Sequence, residues 1–155
     1  MNEPDGTKTG GGGIFLDPCQ IDFEAIDPPL RRLVRLINSR SWARTYGCCA
    51  GPAYHGEDPG EKHQFYIGLF VRADSAGMRH LRSWLDEANR INGSTGVRAA
   101  LKSVPRHPFG QDGVAGWYAC RLAIDQVHGT TPSQQQAFLR MIKSLKIAWD
   151  TLWTE

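Results

Sequence analysis

Hydrophobic and polar positions follow two rhythms along this chain, and the switches between them mark out seven elements. Leu30, Leu33, Val34 and Ile37 recur at i, i+3, i+4 and i+7, one stripe of a helix. Asp27-Pro28-Pro29 starts that helix, with a carboxylate at the cap and prolines where no amide donor is needed. Asn38-Ser39 ends it, and Arg31, Arg32 and Arg35 lie off the stripe. A second stripe, Met78, Leu81, Trp84, Leu85, Ala88 and Ile91, follows a capping Asp74 and stops at Asn92-Gly93. His80 falls off it and reads as a solvated residue. The third stripe runs through Phe138, Met141, Ile142, Leu145, Trp149 and Leu152, after a Thr131-Pro132-Ser133-Gln134 start with capping-box spacing.

Between the helices the period falls to two. Strands are expected at about 43–49, 63–71, 97–104 and 114–124. Residues 63–71 are apolar on both alternate sets, the mark of a central strand covered on both faces. In 114–124 one face carries Val114, Tyr118, Cys120, Leu122 and Ile124. The order is α-β-β-α-β-β-α, two α-β-β units and a closing helix. Hairpins followed by helices predict an α+β two-layer domain with an antiparallel-rich sheet. It occupies residues 27–155, after a Gly-rich tail (1–13) expected to be disordered and an extended acidic arm (14–26).

Charge refines this picture. Residues 1–27 hold six acids and one base, whereas 28–155 hold ten acids and seventeen bases. No acid occurs between Asp27 and Glu57, while Arg31, Arg32, Arg35, Arg40 and Arg44 all do. A basic body behind an acidic head fits a polyanion partner, and fits an ordinary solvated surface as well. No run of about 18 apolar residues is present, so no membrane partner is expected. The N-terminus has no apolar signal region, and Cys19, Cys48, Cys49 and Cys120 read as reduced thiols of a cytoplasmic protein.

The candidate chemistry gathers after the first helix. In Thr45-Tyr46-Gly47-Cys48-Cys49-Ala50-Gly51 two adjacent thiols sit between glycines, and a loop displaying Tyr54 and His55 follows. Glycine lets a ligand approach the backbone. Strand alternation sends neighbouring side chains to opposite faces, so Cys48 and Cys49 are expected neither to bridge each other nor to share a metal. Cys49, His55, His63 and Cys120 lack the paired spacing of a zinc site, and no metal is assigned. The candidate ligand-binding residues are Thr45, Gly47, Cys48, Cys49, Gly51, Tyr54 and His55, with His107 reaching in from the second hairpin. Arg31, Arg35 and Arg44 are the candidate phosphate contacts. Arginines without acidic neighbours would lower the pKa of an exposed thiol there. The competing reading is a tight turn packed for its own sake. Walker, dinucleotide-binding, nucleophile-elbow and zinc-protease motifs are all missing, so no catalytic residue is assigned.

The helix from Leu30 to Asn38 followed by Thr45-x-x-Cys48-x-x-Gly51 resembles a segment of the wybutosine-synthesis tRNA methyltransferase-like family, over about twenty residues. Where that family carries more serine and a basic residue after glycine, this chain has Tyr46-Gly47-Cys48-Cys49-Ala50-Gly51-Pro52. The resemblance implies an RNA-modification protein, RNA as partner and S-adenosylmethionine as cofactor, with Thr45, the thiols and Gly51 at its site. The alternatives are a non-catalytic nucleic-acid-binding module and a protein-interaction domain. In the last of these, Trp153 or the acidic head meets the partner.

Overall fold

A computed structural model describes residues 21–51, 65–93, 96–103, 116–125, 127 and 131–153. Each amphipathic stripe is a helix: α1 (Pro28–Asn38), α2 (Ser75–Asn92) and α3 (Pro132–Leu152). The period-two segments are β1 (Ala43–Cys49), β2 (Tyr66–Arg72), β3 (Arg98–Ser103) and β4 (Trp117–Asp125). Residues 63, 64, 104, 114 and 115 of the expected strands lie outside the described residues. The chain is thus α+β in the order α-β-β-α-β-β-α, with a four-stranded antiparallel sheet ordered β1-β2-β4-β3. Each hairpin supplies one edge and one inner strand, and the two halves meet where β2 pairs β4.

The helices share one face of the sheet. Ile67, Leu69 and Val71 of β2 join Leu122 and Ile124 of β4 and the helical stripes in a single core cluster. Leu30, Leu33, Val34 and Ile37 are fully buried, as are Phe138, Met141 and Leu145. Two positions depart from the expected stripes. Tyr118, at the start of β4, is 56% exposed, and Leu152, in the last turn of α3, is 37% exposed.

Local signals explain the helix ends. The Asp74 carboxylate accepts from Gly77 N–H (2.8 Å), Thr131 Oγ1 accepts from Gln134 N–H (3.2 Å), and Gly93 closes α2 at φ +71°. Asp27 behaves differently: its carboxylate makes no capping hydrogen bond and instead accepts from Ala50 N–H (2.9 Å), tying the end of β1 to the start of α1. Ahead of α1, Phe23–Ala25 form a 3-10 turn between the buried Ile21 and Ile26.

Asparagines of the preceding helices grip both edge strands. Asn38 donates to Thr45 Oγ1 (2.9 Å) and accepts from Thr45 N–H (3.1 Å). Asn89 accepts from Ala99 N–H (2.8 Å) and donates to its carbonyl (3.0 Å). Occupied edge groups are poor templates for another strand.

His80 is no solvated bystander. Its ring lies 5.1 Å from Trp42 and 5.8 Å from Trp153. Trp153 is drawn into the same group, 4.6 Å from Trp149 and 5.4 Å from Trp42, with its carbonyl accepting from Arg40 at 2.6 Å. No helix among the described residues is long and apolar enough to cross a membrane.

Candidate functional site

Alternation along the ladders separates two populations of side chains. Thr45, Cys48, Leu69 and Leu122 face the helices. Arg44, Tyr46, Cys49, Tyr66, Gly68, Phe70, Arg72, Trp117 and Arg121 belong to the opposite face, where no described helix packs. The expectation that both faces of β2 are apolar holds, since Ile67, Leu69 and Val71 are buried on one and Phe70 on the other. What distinguishes the second face is its arginines.

Three guanidinium groups lie on aromatic rings there. Arg72 sits 4.7 Å from the Trp117 ring centre and Arg44 5.7 Å from the same ring, while Arg121 sits 4.4 Å over Tyr66. Such contacts contribute about 0.5–1 kcal/mol each where solvent reaches them. Arg72 and Arg121 are exposed, and Arg44, Tyr66 and Trp117 are half-buried. Cations and flat rings therefore reach solvent together.

A bulge in β1 shapes the middle of this face. The register shifts between Thr45 and Gly47, so Tyr46 is an extra residue whose ring turns across β2. It lies over Gly68, where a Cβ would fall 2.5 Å from Tyr46 Cε1 and Cζ. The ring also packs against Phe70, centre to centre 5.1 Å. Burial raises the Tyr46 pKa, and the neighbouring Arg121 opposes the rise. Tyr66 is raised by burial too, again with Arg121 opposing.

The residues expected from sequence are divided by the sheet. Thr45 is 2% exposed and spends its hydroxyl and amide on Asn38. Cys48 packs against the core, and burial, with Asp27 and Cys49 nearby, pushes its thiol up to about 12. An activated Cys48 thiolate is therefore not what this segment makes. Gly47 and Cys49 adjoin the arginine face, the Cys49 Sγ accepting from Gly51 N–H at 3.4 Å and Gly51 standing at φ +79°. Of the phosphate candidates only Arg44 is on this face. Arg31 donates to the Ile26 and Glu24 carbonyls (2.9 and 3.1 Å), and Arg35 lies 4.3 Å over Phe23, so both brace the turn before α1. Tyr54, His55 and His107 lie outside the described residues.

Sequence reasoning passed over Tyr66, Arg72, Trp117 and Arg121. Two signals for them were present: a glycine inside an otherwise apolar inner strand, which marks a close approach, and Trp117 and Arg121 on the alternate set of β4. Among the described residues no group of three or more His, Cys, Asp or Glu is placed to hold a metal ion. No protein-family model matches the chain, and neither the curated proteins nor the solved structures give a match, so the geometry of this face is what bears on function.

Proposed function

We propose that the protein binds single-stranded RNA on the sheet face opposite its helices, in the cytoplasm. The observation that carries this reading is the set of arginine–aromatic pairs on one face, Arg72 and Arg44 with Trp117 and Arg121 with Tyr66. Flat rings at a solvated sheet surface give bases something to stack on, worth about 1–3 kcal/mol per base. Guanidinium groups take phosphate oxygens with two parallel donors. The two pairs stand toward opposite ends of β2, about 13–20 Å apart at roughly 3.3 Å per residue, so an extended strand can engage both. The basic balance of residues 28–155 brings such a ligand in.

The test is binding of a labelled single-stranded RNA 12-mer by wild type and by Arg72→Glu/Arg121→Glu. Wild-type affinity should fall with salt at a log–log slope of about −2, for three phosphates at about 0.7 each. The double variant should bind at least ten-fold more weakly. Equal binding by a folded double variant would remove this face from consideration, and tighter binding of a duplex would reassign the ligand.

Methyl transfer has less support from the geometry. Of the residues that the family resemblance brings to a site, Thr45 is turned to Asn38 and Cys48 to the core. A clear thermal upshift with S-adenosylmethionine would reverse that order.

A further inference from the structure

Among the described residues one buried side-chain polar atom has no hydrogen-bond partner of good geometry: the hydroxyl of Tyr46, whose proton finds no acceptor because the Arg121 guanidinium beside it can only donate. Burying an unsatisfied hydroxyl costs stability, and a phenylalanine would fill the same space without that cost. The group lies just beneath the sheet face proposed to bind RNA. The Tyr46 ring leaves β1 at the bulge, crosses Gly68 of β2 and heads for β4, where Gly68 pairs with Arg121. Along β2 the ring thus sits between Tyr66 and Arg72, which belong to the two arginine–aromatic pairs, with its hydroxyl buried beneath the path of a strand engaging both.

We infer that Tyr46 is a specificity-determining residue of this face, whose hydroxyl donates a hydrogen bond to an acceptor oxygen of the bound nucleotide. The inference rests on the reading of the face as an RNA surface. Because burial raises its pKa, the phenol stays protonated and acts as a donor through the physiological range. The exposed Arg121 beside it supplies the entry: drawing that guanidinium onto a phosphate brings nucleotide oxygens alongside the hydroxyl. The acceptor is then a phosphate oxygen or a base carbonyl, two sources of one chemistry.

Tyr46→Phe separates a ligand donor from a packing residue, because the two roles move stability and affinity differently. The expected result is an unchanged or higher melting temperature together with at least five-fold weaker binding of the single-stranded RNA 12-mer. Wild type and Arg72→Glu/Arg121→Glu are measured alongside. If wild type binds, the arginine variant fails and Tyr46→Phe binds as wild type does, the inference is overturned while the RNA surface stands. A wild type that does not bind overturns both. A 12-mer with abasic positions identifies the acceptor. A Tyr46→Phe penalty that persists assigns a backbone oxygen, and one that vanishes assigns a base carbonyl, each in support.

Discussion

Gly68 has more consequences than its size suggests. In an inner strand glycine weakens the local structure, and here the loss is offset by the Tyr46 ring lying on the bare backbone. Gly68→Ala should destabilise by about 1–3 kcal/mol, as overpacking does, measured by urea denaturation. The same substitution in a Tyr46→Ala background should cost much less, because nothing then lies above the new methyl group. Equal costs in both backgrounds would mean that the two residues do not touch. The individual residues were the least legible part of this chain. Thr45 and Cys48 drew attention by their spacing, but a side chain's direction depends on the sheet face it takes. The bulge at Tyr46 decides that locally, and no periodicity announces a bulge.

At the scale of elements the reading from sequence went further. Stripes, caps and stops placed three helices and four strands, because burial on one side imposes a period that local chemistry then terminates. Asp27 is the instructive exception. Its position before two prolines made it a cap, yet its carboxylate holds Ala50 N–H at the far end of the α1–β1 unit. A tertiary partner out-competed the local one. The same joint sets a pH response. Burial lifts Cys48 from an ordinary 9.0 to about 12 and Cys120 to about 11. A thiol whose folded pKa is raised stabilises the fold fully below its unfolded pKa and loses that contribution as pH climbs toward the folded value. The raised Tyr46 and Tyr66 act in the same direction at still higher pH. Urea midpoints should therefore be level up to about pH 8.5 and fall steadily above it. Cys48→Ala should flatten part of the decline, and an identical decline in that variant would contradict the buried thiol.

At the scale of the whole molecule, the α-β-β units read from sequence are real divisions. What the sequence left open was how they face each other, since strand order depends on long-range pairing that leaves no local trace. The order β1-β2-β4-β3 puts each hairpin's inner strand against the other's, and α3 packs against α1 and α2 within the helical layer. Each unit alone exposes an unpaired inner strand and an apolar face. Sheets left so are unstable and prone to association, and the natural associate of each is the other. A protein built this way can be made as two chains. Fragments 1–73 and 74–155, divided at the exposed bend before α2, should each be poorly folded alone. Expressed together they should co-purify one to one and regain the far-ultraviolet spectrum of the intact chain, so that the covalent link at Ala73 serves to hold the partners' concentration high and not to shape them.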